Sequence, residues 1–210
     1  SAIYYLGVYM NNPVVYGEVN PANARYSLGY SAMRQENYTD ALKYFQQVAT
    51  SVSAASKPIE QDAYARGADC YFMQKKYSVA LQMYDNIIKN NLPASDYALY
   101  QKAIVAGASG NYPEKILLLQ SIALRFPSSL LVPDANMEVA NTYLANDQFE
   151  SALVPLNAVL KNKNAEALKP QAYLKLGIAY FNQNNNNEAL NNFKKLISTY
   201  PNSEESDEAV

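Results

Sequence analysis

Self-similarity at a period of about 37 residues constrains this chain more than any other feature. Ala24, Ala63, Ala98, Ala135, Ala172 and Ala209 stand 39, 35, 37, 37 and 37 residues apart. Five positions after the first five alanines stand Gly29, Ala68, Ala103, Ala140 and Gly177. Fourteen after stand Tyr38, Tyr77, Tyr112, Phe149 and Asn186. Seventeen after stand Ala41, Ala80, Lys115, Ala152 and Ala189, and twenty-one after stand Phe45, Tyr84, Leu119, Leu156 and Phe193. Each column keeps its residue size, except at Lys115 and Asn186. A repeat of this length is one supersecondary unit that cannot bury its apolar face alone, so neighbours must stack.

The columns define the unit. Apolar residues recur three and four apart within each half-repeat, the pattern of an amphipathic helix. Small residues at the Gly29/Gly177 and Ala41/Ala189 positions let two helices approach closely. Phe45, Tyr84 and Phe193 then fill the space toward the next repeat. The half-repeats meet at short polar turns: Glu36-Asn37, Lys75-Lys76, Gly110-Asn111, Asp147-Gln148 and Asn184-Asn185. Gly, Asn and Asp there suit the left-handed residue that ends a helix. Pro93, Pro127 and Pro201 close repeats because proline cannot continue a helix.

The unit Ala172-Tyr-Leu-Lys-Leu-Gly-Ile-Ala-Tyr180, with Ala189-Leu190, Phe193 and Tyr200-Pro-Asn-Ser203, resembles a tetratricopeptide repeat. Ala24 to Ala49 resembles it equally, with Leu28-Gly29, Tyr38, Asp40-Ala41 and Phe45. The resemblance implies an all-α fold: a right-handed superhelical solenoid of antiparallel helix hairpins. It implies five repeats over about 22–203, at 22–58, 59–94, 95–130, 131–167 and 168–203. The long joints, such as Phe126 to Ala135 and Tyr200 to Ala209, are similar to those of bacterial envelope repeat proteins of the outer-membrane-assembly and Tol-Pal coordinator type. That second likeness implies a periplasmic or outer-membrane-associated location, with the cytoplasm as the alternative.

Residues 1–21 are expected to form a partial N-terminal repeat, with a helix at about 2–10 and a helical turn near 13–19. Residues 204–210 are expected to begin a further repeat or form an acidic tail. There is no initiator Met and no visible signal peptide, so a segment of a longer or processed chain is expected, continuing past Val210. Two residues depart from the pattern inside the array. Lys115 stands where a small residue belongs and is expected to snorkel to the surface, the alternative being a buried cation that anchors a ligand carboxylate. Pro155 is expected to kink or delay its helix.

Composition removes most chemistry. The chain has no histidine, which excludes Ser-His-Asp and Cys-His catalysis and an imidazole base. A single cysteine, Cys70, excludes an internal disulfide or thiolate zinc cage and reads as a small buried hydrophobe. Gly107-Ala-Ser-Gly110 lacks the spacing of a nucleophile elbow, and no phosphate-cradling glycine loop is present. Net charge is −2, and four acids near the C-terminus account for the negative sign. No basic excess exists to bind a nucleic acid backbone, and no apolar run is long enough to span a membrane. No enzyme activity, cofactor or metal is expected.

In the resembled family, the first helices line a concave face that receives a peptide or partner helix. The repeat register places Tyr26, Tyr30, Met33, Asp69, Phe72, Tyr100, Ile104, Asn141, Leu144, Ile178 and Phe181 on that face. Chaperone-adaptor members hold an acidic C-terminal tail there with Lys, Asn and Arg. Here Tyr, Met, Ile and Phe fill the columns and only Asn141 matches, so no such clamp is expected. The expected function is a scaffold or adaptor that binds a protein or peptide in an apolar, tyrosine-rich groove. Two alternatives stand beside it: a regulatory or assembly segment of a longer protein, and a segment of a glycan-binding surface lipoprotein. The absence of Trp and of long inserted loops weighs against the second.

Overall fold

The computed structural model describes residues 2–11, 13 and 20–209. Among them every regular element is helical. The order is α1 (Ala2–Asn11), α2 (Pro21–Arg34), α3 (Tyr38–Val48), α4 (Pro58–Met73), α5 (Tyr77–Lys89), α6 (Ser95–Ala108), α7 (Tyr112–Arg125), α8 (Val132–Leu144) and α9 (Phe149–Lys161). A 3-10 turn (Glu166–Leu168) follows, then α10 (Lys169–Asn182), α11 (Asn186–Thr199) and α12 (Glu204–Glu208). The chain forms two compact units, Ser1–Lys102 and Ala103–Val210, divided within α6. The helical turn expected near 13–19 falls outside the described residues, Pro13 excepted.

Connections of three residues, four between α8 and α9, join α2 to α3, α4 to α5, α6 to α7, α8 to α9 and α10 to α11. In each, the next-to-last residue is left-handed: Glu36, Lys75, Gly110, Asp147 and Asn184, with φ of 59°, 61°, 78°, 57° and 59°. The next amide donates back five residues, as Asn37 N–H does to the Ala32 carbonyl at 3.0 Å and Asn185 N–H does to Tyr180 at 2.9 Å. That is the Schellman closure of a helix end. The same residue then caps the following helix. Asn37, Asn111 and Asn185 accept from the backbone N–H of Asp40, Glu114 and Glu188. Lys76 and Gln148 make no side-chain cap.

The small-residue columns work by close approach. In the first unit, a Cβ on Gly29 would sit 2.7 Å from the Phe45 ring. In the second unit, a Cβ on Gly177 would overlap the Phe193 ring. Phe45, Tyr84, Ile87 and Cys70 are fully buried in the first unit, and Leu119, Ile122, Leu156 and Leu176 are buried in the second. Phe193 is only half-buried, less than its column predicts. Pro155 sits inside α9, which continues across it from Phe149 to Lys161 without ending.

Lys115 is mostly covered but keeps part of its side chain in solvent. Its ammonium pairs with Glu138 on α8, and its side chain is 12% exposed. Gly107 makes room for it, since a Cβ there would lie 2.7 Å from Lys115 Cδ. A carboxylate one helix away offers the part-buried ammonium a partner that water would otherwise supply.

Candidate functional site

The predicted site residues fall on α2, α4 and part of α6 in the first unit. They fall on the rest of α6, α8 and α10 in the second. The two sets have different chemistry.

In the first unit, Tyr26, Tyr30 and Asp69 are drawn into a polar network. Tyr26 and Tyr30 on α2 both donate to Asp62 Oδ2 on α4, at 2.5 and 3.0 Å. Their rings meet edge-on, 4.9 Å between centroids, and both pack edge-on to Phe45. One turn along α4, Arg66 donates to Asp69 Oδ2 at 2.5 Å and to the Tyr97 hydroxyl at 3.2 Å. Its guanidinium lies 4.6 Å from the Tyr97 ring centre. From α5, the buried Tyr84 hydroxyl donates to Asp69 Oδ1 at 2.7 Å.

Burial sets the proton affinities of this cluster. It pushes the Tyr26 and Tyr84 phenols up, and the carboxylates they bond to push further in the same direction. Burial also raises Asp69, with Arg66 and the Tyr84 hydroxyl pulling it back. Burial opposes the Arg66 charge, but Asp69, Tyr97 and Asp62 outweigh it and hold the guanidinium protonated. The phenols therefore stay neutral donors and Arg66 stays a cation. The arrangement ties α2, α4, α5 and α6 together and leaves Asp69 buried rather than presented.

Sequence reasoning had not singled out Asp62, Arg66 or Tyr97. A signal was present: Asp62, Arg66 and Asp69 stand four and three apart, on one stripe of a helix whose other charged residue, Glu60, lies in its first turn. Met33, Phe72 and Tyr100 are half-buried. Burial pushes the Cys70 thiol up to about 12, which suits the inert hydrophobe its sequence context predicts.

In the second unit, Ile104 and Leu144 are half-buried, while Ile178 and Phe181 on α10 are 37% and 63% exposed. Asn141 stands beside the Lys115–Glu138 pair. Its amide nitrogen is 3.5 Å from Glu138 Oε2, and its buried Oδ1 has no partner among the described residues. A cleft of about 490 Å³ opens between α7 and α8, lined by Tyr112, Ile116, Thr142 and Tyr143 among others. Among the described residues, no group of three or more Cys, Asp or Glu side chains is placed to hold a metal ion. No described helix is long and apolar enough to cross a membrane.

Stacked helix hairpins with an open first-helix face define a helical-repeat protein-interaction module. Tetratricopeptide-repeat family profiles match residues 19–58 and 171–203, the first and last of the repeated units. The outer membrane protein assembly factor BamD of Caulobacter vibrioides is 24% identical over 216 residues, spanning 90% of this chain and 69% of that protein. MamA (41 to end) of Desulfovibrio magneticus RS-1 has the same fold, with a TM-score of 0.62 at 15% identity over 88% of this chain and 97% of that one. YrrB, described as a TPR protein with an unusual peptide-binding site, gives a TM-score of 0.59 at 14% identity, over 100% of this chain and 98% of its own.

Proposed function

We propose that this chain is a non-catalytic scaffold or adaptor that binds a peptide or partner helix on its first-helix faces, and that it works in the bacterial envelope. The observation that carries the binding reading is Phe181. An aromatic 63% exposed on a first helix, one turn from exposed Ile178, contributes little to the fold and offers contact area to a partner. Leu144, Ile104, Tyr100, Phe72 and Met33 extend the apolar surface within their own units. Tyr26, Tyr30 and Asp69 hold the first-unit face in shape, and Asn141 offers a side-chain amide. The likeness to an outer-membrane assembly factor supports the envelope location. We further propose five repeats with the boundaries expected from the sequence, a partial repeat before them and an acidic segment after.

The test is affinity capture from cell-envelope extract, with the wild-type chain and an Ile178→Ala/Phe181→Ala variant as baits. Both side chains are exposed, so melting stays within about 0.5 kcal/mol of wild type. A protein held by wild type and lost by the folded variant supports the reading. Equal capture by both baits removes α10 from the binding site.

A further inference from the structure

The second helices of the second unit carry a face that the proposed function does not use. Leu117 and Leu124 on α7 are 68% and 83% exposed, and Val154 on α9 is 76% exposed. Leu117 and Val154 hold the same register position, nineteen residues after Ala98 and Ala135. Leu124 is two turns beyond Leu117 on the same side of α7. On α11, Leu190 and Ile197 repeat the seven-residue spacing at 52% and 36% exposure. The first unit has polar residues at the matching position, exposed Lys43 and Gln82. The fold therefore accepts polar side chains there, and the leucines and valine are not required by folding.

Charge along this face is graded. Glu114, Glu150 and Glu188 occupy the first turns of α7, α9 and α11. Arg125, Lys161, Lys194 and Lys195, all exposed, occupy the later turns. None of these four forms a salt bridge among the described residues. Lys161 closes one end of a cleft of about 360 Å³ whose other walls include Leu153, Val154 and Ala158. An apolar trough ending in an unpaired cation complements an apolar helix stripe ending in a carboxylate.

We propose that the outer face of the second unit, formed by Leu117, Leu124 and Val154 with Arg125 and Lys161, docks an amphipathic helix of a partner protein that carries acidic residues at one end of its apolar stripe. A second copy of this chain is the poorer occupant. Its acidic helix, Glu204–Glu208, has the sequence EESDE and no apolar stripe. An anionic lipid surface fits less well too, because it would meet the first-turn glutamates as well as the later cations, whereas a helix with its carboxylates at one end meets the cations alone.

The probe is a labelled helical peptide of about 18 residues with leucines at i, i+3 and i+7 and glutamates beyond one end of that stripe. A matched peptide has lysines in place of the glutamates. Both are titrated against the whole chain, beside vesicles of phosphatidylglycerol and phosphatidylcholine and a sedimentation series of the chain alone. The expected result is binding of the glutamate peptide about tenfold or more tighter than the lysine peptide. Leu117→Lys/Val154→Lys and Arg125→Glu/Lys161→Glu each weaken it by a similar factor while circular dichroism and melting stay unchanged. Equal affinity for the two peptides, or none for either, overturns the proposal. So does vesicle binding or self-association that these variants abolish.

Discussion

A methyl group added at Gly29 would meet the Phe45 ring at 2.7 Å, and an aromatic ring fixed at zero exposure has nowhere to go. Overpacking of this kind costs about 1–3 kcal/mol, so Gly29→Ala lowers the urea midpoint. Gly67 on α4 is equally buried, but its added Cβ would meet only Met83 Cε at 3.4 Å and Leu42 Cδ1 at 3.7 Å. There the better helix propensity of alanine acts alone, and Gly67→Ala holds or raises stability by up to about 1 kcal/mol. Equal shifts for the two variants would mean that ring contact does not decide the column. Asp69 gives a pH signature. Burial raises its folded pKa above the ordinary 3.8. A carboxyl so raised contributes stability that is fully present below its unfolded value and is lost as pH climbs through its folded value. Wild type therefore loses stability relative to Asp69→Asn as pH rises from about 4 toward neutrality. Urea unfolding over that range reads the difference, and a constant difference would place the Asp69 carboxyl at its ordinary value.

At the scale of elements, the turns are the most regular feature and hold an uneven strain. Gly110 occupies the left-handed position freely, whereas Lys75 at φ 61° and Glu36 at φ 59° each carry a side chain there. A non-glycine residue in that conformation costs about 1–2 kcal/mol, so Lys75→Gly stabilises by about 1 kcal/mol after the entropy it returns to the unfolded chain. Calorimetry should show a melting rise of about 2–4 °C for a chain of this size. No rise would mean that the Lys75 side chain makes a compensating contact. These turns were legible in the sequence because the helix-stop and helix-start signals fall on adjacent residues, as in Asn184-Asn185. The helix pairs were legible for the same reason, together with the glycine and aromatic columns. The Asp62–Arg66–Asp69 network was not. Its spacing on α4 is visible, but which tyrosines meet it depends on the offset between α2, α4, α5 and α6, which no single helix encodes. The partner of Lys115 was hidden on similar grounds. That partner, Glu138, lies 23 residues away, on a helix whose facing side is fixed only by packing.

Across the whole molecule, repetition sets how stability is distributed. Most buried contacts join neighbouring helices, so stability is a sum of local terms and nearest-neighbour terms. Leu156 tests this. It is fully buried on α9 and packs in one cluster with Met137, Ala140, Leu176 and Ala172 from α8 and α10. Leu156→Ala removes that contact from three helices at once, at about 2–5 kcal/mol. The clusters around Phe45 on α3 and Tyr84 on α5 share no residue with it. Amide hydrogen exchange should then show protection falling in α8, α9 and α10 while α3, α4 and α5 keep theirs. A uniform loss over all these helices would instead show one cooperative unit, in which a substitution in any hairpin weakens every face. The distinction bears on function. With local stability, the helices of the second unit can loosen while the tyrosine–aspartate–arginine network keeps the helices of the first unit ordered.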